Sequence, residues 1–130
     1  MPKILAADDD PIVQQFVSSI LTENGFEVFI APDGEQAVEQ ARTLRPDLIV
    51  LDLIMPYRDG YDVMRSLADR PETRDIPVII LSAKNKEEDI IRGLEGGAED
   101  FIIKPFNALE LVARVRKILS RKEASATRGA

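Results

Sequence analysis

The 130-residue chain has no cysteine, no histidine and no tryptophan, and aromatic residues make up only 5% of it. Without cysteine there is no disulfide, no thiolate metal site and no cysteine nucleophile. Without histidine the usual general base near neutral pH is gone, and with it the serine triads and the HExxH zinc sites. No apolar run approaches the roughly 18 residues needed to cross a bilayer. The opening Met1-Pro2-Lys3-Ile4-Leu5-Ala6-Ala7-Asp8 lacks the long apolar stretch of a signal peptide. Positive charge is also scarce: 17 Lys+Arg stand against 23 Asp+Glu, a net charge of −6. That balance disfavours non-specific attraction to nucleic acid or to an anionic membrane, while leaving acidic residues free to attract a cation. What is present, 45% hydrophobic and 31% charged residues, suffices for one core under a solvated surface. The expectation is a cytoplasmic domain with no membrane segment and no nucleic-acid binding of its own. Its chemistry must come from Asp, Glu, Ser, Thr, Lys or Arg.

Apolar runs alternate with stretches of helical period. Lys3–Ala7 reads as a strand closed by Asp8, Asp9 and Asp10, with Asp10 as the N-cap and Pro11 in the first turn of a helix. Ile12, Val13, Phe16, Val17, Ile20 and Leu21 then form one apolar stripe, and Gly25 is a stop. Further strands are predicted at Phe26–Ile30, Leu48–Leu53, Pro77–Leu81 and Phe101–Ile103, each followed by a helical pattern. The last helix is announced by the capping-box pair Asn107 and Glu110. The run Leu48–Leu53 is apolar enough to need cover on both faces, as in a parallel sheet. Five strands alternating with five helices predict a doubly wound α/β sandwich with right-handed crossovers. Residues 1–120 form this domain, and the small, polar residues 121–130 read as a frayed tail or the stub of a linker.

The polar residues fall in telling places. Asp8 and Asp9 close the first strand, Asp52 interrupts the third, Ser82 follows the fourth and Lys104 follows the fifth. In an open parallel sheet these ends share one edge, where ligands bind at the reversal of strand order. With the order 2-1-3-4-5, Asp8, Asp9 and Asp52 converge, flanked by Ser82 and Lys104. A buried Asp52 needs a partner. Three close carboxylates repel by about 4 kcal/mol per pair at 4 Å and an effective dielectric near 20. One lysine cannot neutralise them, whereas Mg²⁺ with retained waters suits two carboxylates and a carbonyl. An oxygen of Asp52 can then attack phosphorus, with Lys104 and Ser82 stabilising the charge on the phosphoryl oxygens. Lacking a base to activate water, such a site needs a reactive phosphodonor.

These residues resemble the receiver domain of two-component response regulators over about Lys3 to Leu119. The carriers are Ile4-Leu5-Ala6-Ala7-Asp8-Asp9, Asp47-Leu48-Ile49-Val50-Leu51-Asp52-Leu53-Ile54-Met55-Pro56 with Asp59-Gly60, Ile80-Leu81-Ser82-Ala83, and Gly97-Ala98-Glu99-Asp100-Phe101-Ile102-Ile103-Lys104-Pro105-Phe106. The resemblance implies a flavodoxin-like fold and a phosphorylation-dependent switch rather than an enzyme. It implies that Asp52 accepts a phosphoryl group from a sensor histidine kinase or a phosphotransfer protein. It further implies Mg²⁺ held by Asp9, Asp52 and the backbone carbonyl of Ile54, with Asp8 acting through water. Ser82 would be the switch hydroxyl, Phe101 the switch aromatic, Lys104 the counter-ion of the phosphate, and Lys104-Pro105 a cis peptide.

The output, through a partner or a further domain after residue 120, would read the surface of the fourth helix, fifth strand and fifth helix. That face could also form a homodimer through ion pairs of Asp100, Glu110, Arg114 and Arg116, although Ile90 stands where a basic residue is expected. The competing enzyme reading is a small phosphatase of the haloacid-dehalogenase type, for which Asp8-Asp9-Asp10 supplies a hydrophobic-Asp-x-Asp start. That reading leaves Asp52 without a role.

Overall fold

The structure is a computed structural model and describes residues 1–129. Five strands, β1 (Lys3–Ala7), β2 (Glu27–Ala31), β3 (Leu48–Leu51), β4 (Val78–Ser82) and β5 (Asp100–Ile103), alternate with five helices. These are α1 (Pro11–Glu23), α2 (Gly34–Leu44), α3 (Gly60–Ala68), α4 (Glu87–Glu95) and α5 (Ala108–Gly129). The strands form one parallel sheet in the order β2-β1-β3-β4-β5, as the alternation and the resemblance predict.

The sheet is covered on both faces. On one, Ile4, Leu48, Val50, Ile79, Leu81 and Ile102 pack with Val17, Ile20 and Leu21 of α1 and Leu111, Val115 and Ile118 of α5. On the other, Leu5, Ile49, Leu51 and Ile80 meet Ala37 and Ala41 of α2 and Val63, Met64 and Leu67 of α3. α4 is the loosely seated helix, for only Gly93 in it is buried.

Helix starts other than that of α4, which Lys86 precedes without a cap bond, follow short polar side chains. Asp10, Asp33 and Asp59 accept hydrogen bonds from the amides of Ile12, Gln36 and Asp62. Asn107 accepts from Leu109 and Glu110, but only half of the predicted capping box is present, because Glu110 turns to Arg114 at 3.4 Å. At the α1 stop, Asn24 is the cap and Gly25 takes the left-handed φ of 92°.

Several expectations change. β3 ends at Leu51, which leaves Asp52 and Leu53 in the following loop. β2 begins one residue later than predicted, and β4 runs to Ser82, making that serine a strand residue. The α1 stripe is wider than the face the sheet covers: Ile12 is 79% exposed and Phe16 45%. Phe16 instead lies against Phe106 with ring centroids 5.4 Å apart. Residues 121–129 continue α5 as helix where a frayed tail was expected. Arg121-Lys122-Glu123-Ala124 are strong helix formers, so propensity extends the helix without any apolar period.

Candidate functional site

Strand register assembles the site. Asp52 N–H donates to the Ala7 carbonyl at 2.9 Å, and Asp8 N–H to that of Ala31 at 3.1 Å, so the two aspartates emerge side by side from β1 and β3. Lys104 N–H donates to the Ser82 carbonyl at 2.8 Å, which brings the end of β5 to the same edge. Lys104-Pro105 is cis, as the resemblance implies.

The side chains then converge. Carboxylate oxygens of Asp8, Asp9 and Asp52 all lie within 4.8 Å of one another. Lys104 Nζ donates to Asp8 Oδ2 at 2.7 Å and to Asp52 Oδ2 at 3.1 Å. The second oxygens are engaged as well: Asp8 Oδ1 accepts from Asp10 N–H at 3.0 Å and Asp52 Oδ1 from Ile54 N–H at 3.1 Å. Asp8 and Asp52 are buried, while Asp9 is exposed. Burial is the largest influence on Asp8 and pushes its carboxyl above the ordinary 3.8, against the opposing hydrogen bond from Lys104. For Lys104, burial pulls the other way, but its bonds to Asp8 and Asp52 outweigh it and hold the ammonium above the ordinary 10.5.

Three carboxylates thus face one ammonium, and two of them are withdrawn from water. An all-oxygen donor set with excess negative charge fits a hard divalent cation such as Mg²⁺. Of the remaining predicted residues, Ser82 and Ile54 adjoin this cluster through the backbone and Phe101 lies toward α4. Ser82 is fully buried at the end of β4, its Oγ accepting from Lys84 N–H at 3.4 Å. Ile54 is exposed in the loop after β3. Phe101 is partly buried in β5, paired in register with Ile80. Its ring lies against Gly93 of α4, where an added Cβ would come within 3.2 Å of Phe101 Cδ2 and 2.6 Å of Ile80 Cδ1. Asp10, the second acid that the phosphatase reading requires, is spent on capping α1.

Other contributors escaped the sequence reading. Gln14 Nε2 donates to the Asp8 carbonyl at 2.7 Å from the first turns of α1. Tyr61 of α3 receives the Arg92 guanidinium 3.8 Å from its ring centroid, and its hydroxyl donates to the Asp89 carbonyl at 3.2 Å, clasping α4. Arg58 reaches from the loop after β3 to α2 and α3. Each is a polar residue at ordinary helix or loop spacing whose partner lies on another element, so no local pattern gives it away. On the outer face of β5 and α5, Arg114 pairs within the chain with Asp100 at 2.6 Å and Glu110 at 3.4 Å.

Comparison with known proteins points in one direction. Residues 4–116 match the family described as the response regulator receiver domain. The DNA-binding response regulator MtrA of Mycolicibacterium smegmatis is 44% identical over 121 residues, covering 93% of this chain and 52% of that protein. The phosphate regulon transcriptional regulatory protein PhoB of Escherichia coli is 42% identical, covering 92% and 52%. The chain therefore spans about half the length of the curated relatives it matches. Among solved structures, the receiver domain of the Francisella response regulator 1452 superposes with a TM-score of 0.88 at 39% identity, covering 94% of this chain and 99% of that one. The signal receiver domain of a signal transduction histidine kinase from Syntrophus aciditrophicus gives 0.85 at 38%, covering 92% and 91%.

Proposed function

Since the chain belongs to the response regulator receiver family, we propose that Asp52 is its phosphoacceptor and that phosphorylation there switches the α4–β5–α5 surface. The carrying observation is the pair of short contacts from Lys104 Nζ to Asp8 and Asp52 inside a cluster of three carboxylates. A cationic occupant relieves that excess of negative charge and readies the site for an anionic phosphoryl group.

A sensor histidine kinase or phosphotransfer protein presents a phosphohistidine. A carboxylate oxygen of Asp52 attacks phosphorus as the P–N bond breaks, and the imidazole nitrogen leaves with the bonding pair. Asp9, Asp52 and the Ile54 carbonyl would hold Mg²⁺, with Asp8 acting through water; when bound, the ion offsets charge on the transferring phosphoryl oxygens. Lys104 keeps its ammonium beside the acceptor carboxylate throughout, so the new phosphoryl group finds a counter-ion already in place.

The readout follows from how α4 is held. Ser82 moves its hydroxyl toward the phosphoryl oxygens, and Phe101 turns inward into the space vacated. α4 loses the flat ring that now faces Gly93, and with one buried residue it is left held chiefly by the Tyr61 contacts to Arg92 and Asp89. The altered face acts on an output partner or a further domain, and it also serves to pair two copies of the chain. No direct nucleic-acid or membrane contact is assigned to this domain, and among the described residues no helix is long and apolar enough to cross a membrane. The domain is regulatory; the phosphatase reading gains nothing from the geometry or from the family match.

The test is phosphorylation by acetyl phosphate with Mg²⁺, followed by intact mass. Wild type should gain one phosphoryl group and Asp52→Asn none. Equal labelling of the substituted protein would remove Asp52 from the role.

A further inference from the structure

The loop between β3 and α3 is held by a residue that neither the acidic cluster nor the switch uses. Its inner end is pinned by backbone: Gly60 N–H donates to the Leu53 carbonyl at 2.9 Å, and a Cβ at position 60 would come within 2.6 Å of the Asp52 carbonyl. Its outer end is strained. Tyr57 has a φ of 71°, a conformation that bulky side chains enter only when the surroundings impose it. The Tyr57 side chain is 85% exposed, so it does not itself supply the restraint.

The next residue does. Arg58 N–H donates to the Pro56 carbonyl at 2.8 Å. Its own carbonyl lies against the backbone of Gly34, where a Cβ would approach to 2.3 Å. Its guanidinium spans two helices: Nε donates to Asp62 Oδ2 at 2.7 Å, a terminal nitrogen donates to Ser66 Oγ and to the Asp62 carbonyl at 3.5 Å, and Glu35 of α2 lies 3.8 Å away. The side chain is only 21% exposed. An isolated surface ion pair contributes little, but a planar fork with several fixed acceptors defines a position.

We propose that Arg58 is a positioning residue that sets the divalent-metal affinity of the acidic site. By fastening the strained outer end of the loop to α2 and α3, it fixes where the Ile54 carbonyl stands relative to Asp52. The inference rests on the reading of Asp9, Asp52 and the Ile54 carbonyl as the metal-holding set.

Calorimetric titration with Mg²⁺ alone, without phosphodonor, tests it on the whole chain, with thermal melting in EDTA run alongside. Arg58→Met should weaken Mg²⁺ binding about tenfold, the lower end of the loss seen when groups that orient metal ligands are removed. Arg58→Lys should not rescue it, because a single ammonium cannot reproduce the fork. Asp62→Ala, which takes away the fork's main acceptor, should reproduce the loss even if Arg58→Met fails to fold. Binding within about twofold of wild type in the folded variants, whatever their melting temperatures, overturns the proposal. Asp52→Asn separates the two readings: if it binds Mg²⁺ as tightly as wild type, the metal-holding set falls and the role of Arg58 with it.

Discussion

The ammonium of Lys104 reaches from the end of β5 to two buried carboxylates just beyond neighbouring strands, so its removal leaves both without their cation. Lys104→Ala should lower stability in EDTA by about 1–3 kcal/mol at neutral pH, the range for leaving buried polar partners unsatisfied. Added Mg²⁺ should recover more stability in the variant than in wild type; urea unfolding with and without Mg²⁺ measures both. The pH dependence has a definite sign. With the folded-state Lys104 held above 10.5, its contribution is fully present below that value and is lost as pH rises through the higher folded one. Asp8 behaves oppositely to a salt-bridged acid: because burial raises its pKa, the fold binds its proton more tightly than the unfolded chain does. Stability therefore falls as pH rises from 3.8 through the raised value. Asp8, Asp9, Asp52, Ser82 and Lys104 were legible in sequence because each ends or interrupts an apolar run. Arg58 and Gln14 were not, since their roles depend on which loop or helix lies opposite.

Among the elements, α4 is set apart by how little of it is buried. Its seat is made by an absence, the missing side chain of Gly93, which lets the helix lie on Ile80 and Phe101. Gly93→Ala gains about 1 kcal/mol of helix propensity but introduces a methyl into occupied space, a cost of about 1–3 kcal/mol. The net expectation is mild destabilisation with displacement of the Phe101 ring. Fluorinated phenylalanine at position 101 should report an altered ring environment by ¹⁹F NMR in the unphosphorylated variant, and an unchanged resonance would show that Gly93 does not define the seat. The existence and order of the elements could be read from periodicity, because strands buried on both faces and amphipathic helices differ in apolar spacing. Their ends could not. Strand β3 stops at Leu51 although the apolar run continues to Ile54: Asp52 makes a last backbone bond to β1, through its N–H to the Ala7 carbonyl, and its side chain turns to Lys104. Helix α5 likewise outruns its apolar stripe, carried by helix-forming residues and by the bond from Lys122 Nζ to the Asp47 carbonyl at 3.3 Å.

At the scale of the molecule, one end of the sheet carries the acidic cluster and an adjoining face carries the readout proposed for it, with β5 common to both. Lys104 just beyond β5 belongs to the first, while Phe101, Asp100 and Ile103 within it belong to the second. That face exposes Ile91, Leu94 and Ile103, and its Arg114 is already paired within the chain with Asp100 and Glu110. A second copy docking there would trade the Arg114 bonds for equivalent ones between subunits, a small net ionic gain. The driving force for pairing then falls to dehydration of the three aliphatic residues. Analytical ultracentrifugation of the beryllofluoride-activated protein should accordingly show a dimerisation constant that shifts less than about threefold between dilute and half-molar sodium chloride. Assembly through this surface would thus be governed by grease rather than by ionic strength.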